Sequence, residues 1–180
     1  MRTRIVLILL ALLMAIMACK SPSSAVGWID GGAAHELQGD YWFYTAKPLT
    51  LKQLEGRVIL IDVWQITCES CREEIPSLTS FYDQYKDEGL IVIGHHIGNS
   101  SETRDLTRLQ NEMVELKINY VVLQDVSQDN WYARDTLYVP RYYLIDRQGI
   151  LRYRQLGPNT QMLEEAILEL LNEPVGSYHP

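Results

Sequence analysis

The chain is poor in several things at once. Three cysteines in 180 residues are too few for a disulfide-stapled scaffold, whose small cores need several bridges. Seven prolines and 11 glycines exclude a fibrous or disordered polymer. Basic charge is also short: 16 Lys and Arg stand against 23 Asp and Glu, a net charge of −7. An electrostatic grip on nucleic acid therefore has no basis, and no nucleic-acid partner is expected. The only long apolar run, Ile5 to Ala18, has fourteen residues, short of the roughly 20 that a membrane-spanning helix requires. No internal repeat or low-complexity block is visible. With 47% hydrophobic residues, 11 Tyr and four Trp, the chain can build one sizeable core, and its length has no room for two ordinary domains.

Arg2 and Arg4 before the run Ile5–Ala18 match the basic and apolar regions of an export signal, so residues 1–18 are expected to be a signal peptide. Ile16-Met17-Ala18-Cys19 resembles the lipobox of bacterial lipoproteins, in which the cysteine is acylated and becomes the new N-terminus. That resemblance makes Cys19 a lipidation site. The competing reading is an ordinary signal peptide with a chance cysteine. Losing the two arginines of the leader would take the net charge from −7 to −9. Residues 19–38 are expected to be a lipidated tether, because the stretch from Lys20 to Ala34 is rich in Ser, Gly and Ala without periodicity. Its reach would be roughly 20 Å. Residues 39–172 form the expected domain, and 173–180 a flexible tail.

Within the domain, Tyr41–Tyr44 reads as a short strand, and Thr50 to Gln53 carries a capping-box pattern. Val58–Trp64 is a nearly unbroken apolar, β-branched run of the kind that both faces of a sheet cover, with Asp62 interrupting it. Ile75, Leu78, Phe81, Tyr82 and Tyr85 recur at helical spacing from Glu69 to Glu88, with a kink expected at Pro76. Leu90–His96 is a second buried strand, parallel to the first by the right-handed crossover rule. A helix is expected from about Glu102 to Lys117, a short strand at Val121–Leu123 and a helical turn at Asn130–Arg134. Beyond these, a hairpin turns at Asp146-Arg147-Gln148-Gly149, and Met162 to Leu171 makes an amphipathic last helix.

Cys68-Glu69-Ser70-Cys71 lies between the first core strand and the first long helix. A C-x-x-C pair there is a redox motif, because a helix N-terminus favours thiolate over thiol. Cys68 is then the attacking sulfur, and Cys71, one turn on, resolves a mixed disulfide. A static disulfide or half of a zinc site are the alternatives, but zinc needs four ligands and only His35, His95, His96 and His179 could assist. His95 and His96 are adjacent in a strand and point to opposite faces, which makes joint ligation awkward, so no metal site is expected.

The βαβ unit with C-x-x-C at its turn, Val139-Pro140 before a hairpin and the closing helix together resemble the thioredoxin fold, an α/β architecture with a central mixed sheet flanked by helices. Leu49 to Gly56, Val58 to Cys71, Glu74, Pro76, and Tyr138-Val139-Pro140 with Tyr143-Leu144-Ile145-Asp146 and Gly149 resemble, more narrowly, the membrane-tethered TlpA/ResA-type thiol-disulfide oxidoreductases. Trp64 to Cys71 with Trp131-Tyr132 is similar to the thioredoxin-like domain of DipZ proteins. The resemblance implies that Cys68 is the nucleophile, Cys71 the resolver and Pro140 a cis-proline beside them. It matches Asp62 to the buried acid of thioredoxins, which relays a proton for the resolving cysteine, and Glu74 to the active-site glutamate of ResA-type proteins. Read without it, Pro140 is a turn proline, Asp62 a solvated strand-end acid and Glu74 an exposed helix acid. The chain departs from the family at Thr67, where tryptophan is common, and at Ser70, where proline is common.

These readings imply an exported enzyme, lipid-anchored to the periplasmic side of a bacterial membrane. It would reduce disulfides in protein substrates, with cytochrome c maturation as one setting, and draw electrons from a membrane donor. No cofactor is expected. The competing readings are a thioredoxin-like copper-binding assembly protein, using both sulfurs with His95 or His96, and a thiol peroxidase. The reductant assignment rests on Glu69, Glu73 and Glu74 beside Cys68, opposed only by Arg72.

Overall fold

The structure is a computed structural model that describes residues 27–29, 31–135 and 138–174. The expected signal peptide and Cys19 lie outside the described residues. Among those described, no helix is long and apolar enough to cross a membrane.

One mixed sheet organises the described chain. Its strands are β1 (Gly27–Trp28), β2 (Tyr41–Phe43), β3 (Val58–Trp64), β4 (Leu90–Ile97), β5 (Val121–Asp125), β6 (Arg141–Ile145) and β7 (Leu151–Leu156), in the order β1-β7-β6-β3-β4-β5-β2. Helices α1 (Glu69–Tyr85), α2 (Leu106–Glu115), α3 (Trp131–Arg134) and α4 (Thr160–Asn172) connect or close it. β3, β4 and β5 run parallel, and every other pairing is antiparallel. Two right-handed crossovers in the same direction, through α1 and then α2, put both helices on one face. Arg72 of α1 accordingly reaches Glu112 of α2 at 3.1 Å and Glu115 at 3.8 Å.

The alternation of β3 divides the core. Val58, Leu60 and Trp64 pack with Ile75 and Leu78 of α1, Leu109 and Met113 of α2, and Leu163, Ile167 and Leu170 of α4. Ile59, Ile61 and Val63 face the other way, toward Leu54, Tyr132 and Tyr143. Strand period then places Asp62 on the face that α1, α2 and α4 cover. It is 1% exposed, so the strand-end reading of a solvated acid does not hold.

Local chemistry sets the element ends. Thr50 and Gln53 form the capping box at the start of a 3-10 turn, Leu51–Leu54. α1 runs through Pro76 without interruption, and Gly89 ends the following 3-10 turn in the left-handed region, at φ 110°. α2 starts at Leu106 rather than Glu102. Ser100 and Thr103 exchange side-chain-to-backbone bonds, which compete with a helical start, and Asp105 then caps the helix through Arg108 N.

The expected tether to residue 38 is corrected in its second half. Gly27–Trp28 pairs with β7, Ala33 bridges Ile150, and Leu37 is buried, so the folded body begins by Gly27. The expected tail is corrected at its first residue. Glu173 receives Arg152 Nη2 at 3.0 Å and Nη1 at 3.1 Å, and so belongs to the fold.

Candidate active site

β3 ends at Trp64, and the chain turns through Gln65–Thr67 to deliver Cys68 at the N-cap of α1. A disulfide joins Cys68 and Cys71, whose Cα atoms are 5.3 Å apart. The two sulfurs are unequal in access. Cys68 is half-buried at the surface, whereas Cys71 is 2% exposed and packs into the core cluster with Trp64 and Ile75. Only Cys68 can meet an incoming protein disulfide.

Cys68 also replaces the usual capping oxygen. Its Sγ accepts from Cys71 N at 3.2 Å and lies 3.5 Å from Ser70 Oγ. A thiolate at this position meets a backbone donor, a hydroxyl and the positive end of the helix dipole. The negative charges beside it oppose that. Glu69 and Glu73 are exposed, Glu74 is partly covered, and the one cation of the first turn, Arg72, is drawn off to α2.

The Val139–Pro140 peptide bond is cis, and Val139 O sits 3.8 Å from Cys68 Sγ. Gln65, Ile97, Gln128, Ala133, Tyr138 and Val139 line a shallow cleft at this edge, with Tyr138 70% exposed. A larger cleft, about 350 Å³, lies among Leu51, Leu54, Ile59, Asp146 and Gly149 at the opposite end of the sheet and includes neither cysteine.

Burial pushes the Asp62 carboxyl well above the usual carboxylate range, and the nearby Glu74 charge adds to it. Burial, then the neighbouring Glu73, raises Glu74 as well; its Oε2 is enclosed without a protein partner, so it is not a freely exposed helix acid. The structure thus brings Cys68, Cys71, Asp62 and Glu74 to one end of β3 and α1, with Pro140 across from them.

His95 and His96 separate as their alternation requires. His95 pairs with Asp125 at 3.2 Å and lies toward Leu123 and Val63, while His96 stands edge-on to the Trp64 ring on the other face. No group of three or more His, Cys, Asp or Glu among the described residues could hold a metal ion. His96 has a structural task that its sequence context does not reveal. Ile66 N donates to its Nε2 at 3.1 Å, and burial holds the imidazole neutral by lowering it to about 3. A neutral acceptor there fixes the turn that presents Cys68.

With this geometry in place, the comparisons decide the family. The model of the AhpC/TSA family matches residues 34–154. The chain belongs to that family. Among curated relatives, Protein DipZ of Mycobacterium bovis is 34% identical over 146 residues, which cover 79% of this chain and 21% of DipZ. The chain thus spans about a fifth of that relative. Thiol-disulfide oxidoreductase YkuV of Bacillus subtilis is 32% identical over 127 residues, 69% of this chain and 85% of YkuV. Among solved structures, the crystal structure of a thioredoxin-like superfamily protein superposes with a TM-score of 0.71 at 29% identity, covering 79% of this chain and 98% of the other. The fold is thioredoxin-like, as the C-x-x-C turn, the hairpin and the last helix had implied, and DipZ is one of the two resemblances read from the sequence.

Proposed function

We propose that the chain is an exported, lipid-anchored thiol-disulfide oxidoreductase that reduces disulfides in protein substrates. The observation that carries this reading is the asymmetry of the pair: Cys68 is accessible at a helix N-cap, and Cys71 is buried one turn behind it. YkuV, similar over most of its length, is named a thiol-disulfide oxidoreductase, which supports it.

In the reduced protein, the Cys68 thiolate attacks one sulfur of a substrate disulfide, and the other sulfur leaves with the electron pair. A mixed disulfide then joins Cys68 to the substrate. The backbone of Val139, beside Cys68, supplies an edge where an extended substrate segment can pair. Cys71 next loses its proton, attacks Cys68 Sγ and closes the internal disulfide, while the second substrate sulfur departs as a thiolate. Asp62, whose carboxyl burial holds above the usual carboxylate range, takes that proton in this reading. Two electrons pass to the substrate, and a membrane donor restores the dithiol.

The test uses reduced protein and insulin. Cys71→Ser accumulates a mixed disulfide through Cys68, visible by mass spectrometry, whereas Cys68→Ser forms none; trapping through Cys71 instead would reverse the roles. Anchoring rests on Ile16-Met17-Ala18-Cys19. Protein recovered from bacterial membranes should begin at Cys19 and carry the mass of an acylated cysteine, and a free Cys19 would remove the anchor.

A further inference from the structure

Asp62 is not buried alone. Its antiparallel neighbour on β6 is Tyr142 and its parallel neighbour on β4 is Gly94, so a phenol stands on one side and no side chain on the other. The space that a Cβ at Gly94 would need is bounded by Trp64 Nε1 at 3.2 Å and Tyr120 Cε2 at 3.3 Å. Gly94 thereby admits the Tyr120 ring, which enters from the turn before β5. Both tyrosines belong to the core cluster that contains Cys71.

Five polar atoms in or beside this cluster are enclosed without a protein hydrogen-bond partner: Trp64 Nε1, Tyr120 Oη and Tyr142 Oη within it, and Asp62 Oδ2 and Glu74 Oε2, whose charges act on Tyr142. An unsatisfied buried group costs about 1–3 kcal/mol, so a fold rarely gathers several in one place without a use for them. Their charges are coupled. Burial raises both phenols, the Asp62 charge raises both further, and Glu74 adds to Asp62 and Tyr142. No cation of the described chain enters these couplings. The titratable groups whose charges act on Asp62 or feel its charge are Glu74 from α1, Tyr142 from β6 and Tyr120 from the turn before β5, and Cys71 of α1 lies in the same core cluster as both tyrosines. His96 on β4 is engaged with Ile66 N, and α4 packs Leu163, Ala166, Ile167 and Leu170 into this cluster, with its Glu164 held by Tyr85 and its Glu165 acting on Tyr153.

We propose that Tyr142 and Tyr120 are positioning residues for the resolving step, donating hydrogen bonds, directly or through one internal water, to the Asp62 carboxylate as it takes the proton of Cys71. This inference rests on the oxidoreductase reading above. A buried carboxylate without a cation is a poor species, and two phenol donors are what the cluster offers to support it. Once protonated, Asp62 returns its proton to solvent through Glu74, which reaches from this enclosure to the surface. The tyrosines neither gain nor lose a proton, since burial keeps both phenols neutral.

The test separates the two thiol steps. Tyr142→Phe and Tyr120→Phe keep the ring and delete only the hydroxyl. Attack by Cys68 is measured in the Cys71→Ser background, with insulin as the disulfide. Resolution is measured with Cys71 present, by the release of reduced insulin across pH 5–9. Losing a donor to the charged form of Asp62 raises its pKa. The expected result is a resolution midpoint displaced to higher pH and a resolution rate at pH 7 lower by about tenfold, consistent with one charge-assisted hydrogen bond. Attack is unchanged. In an Asp62→Asn background, neither tyrosine substitution has a further effect. Midpoints that superpose on that of the unsubstituted protein overturn the proposal, and so does uniform slowing at every pH. If Tyr142→Phe fails to fold, Tyr120→Phe carries the same test. If the unsubstituted protein does not reduce insulin, the oxidoreductase reading itself fails, a different result from unshifted tyrosine variants.

Discussion

Asp62 is a residue whose chemistry works against the stability of the fold that holds it. Below about pH 4 an ordinary aspartate is protonated in both folded and unfolded chains, and Asp62 makes no difference between them. Above that, the unfolded chain releases the proton while the folded chain retains it, because burial and then Glu74 raise the folded carboxyl. Stability therefore falls with rising pH until the folded Asp62 ionises too. Asp62→Asn removes this loss while keeping the size of the side chain. It should stabilise the oxidised protein at pH 7.5 in urea unfolding, by an amount that vanishes near pH 4, while slowing the resolution of mixed disulfides. A gain equal at both pH values would mean that burial of the charge is not its source. A loss at pH 7.5 would mean that the hydrogen bonds proposed from Tyr142 and Tyr120 outweigh the cost of burying the charge. The same residue shows where sequence reading stops. An acid inside an apolar run was visible in Val58–Trp64, but Tyr142, Tyr120 and His96 carry no local signal. They meet the site only through strand register, Asp62 opposite Tyr142 and Gly94, and through a bond from Ile66 N to an imidazole thirty residues on.

At the scale of elements, legibility follows how self-sufficient each segment is. β3 and β4 announce themselves because a strand covered on both faces must be apolar almost throughout. β7 is equally plain, since Leu151, Tyr153 and Gln155 are buried while the residues between them are partly exposed. The hairpin between β6 and β7 was legible from its turn: Gly149 occupies φ 78°, and Asp146 Oδ1 accepts from Gln148 N and Ile150 N. β1 was not legible, because a two-residue strand has no period and exists only by virtue of the β7 edge it borders. The start of α2 was misplaced for a related reason. Glu102 suits a helix by propensity, but the side-chain bonds between Ser100 and Thr103 hold the backbone in a turn until Asp105 can cap. The Cys68–Cys71 turn could be read without any of this. Its position between a core strand and a helix is a local fact, and local facts survive the absence of register.

The direction of electron flow is a property of the whole molecule, because every charge near the pair contributes to it. The Cys71 N–H and the dipole of α1 favour a Cys68 thiolate, but any C-x-x-C at a helix start enjoys both, and such proteins span about −270 mV for thioredoxin to about −120 mV for DsbA. Surrounding charge is one of the things that differ between them. Here that charge is negative at each range: Glu69, Glu73 and Glu74 within the first turns, Arg72 committed to α2, and a chain of net charge −7. Ser70 Oγ, 3.5 Å from the sulfur, is one neutral dipole against these. Like charges disfavour the thiolate, a less stable thiolate favours the disulfide, and the protein then gives electrons away. Equilibration of the purified domain with glutathione should therefore return a potential toward the thioredoxin end of the range. Raising the ionic strength should lower the pH at which Cys68 ionises, since salt screens exposed glutamates over about 10 Å. A potential near −120 mV, or a Cys68 that titrates far below neutrality and ignores salt, would make the protein an oxidant and reverse the flow.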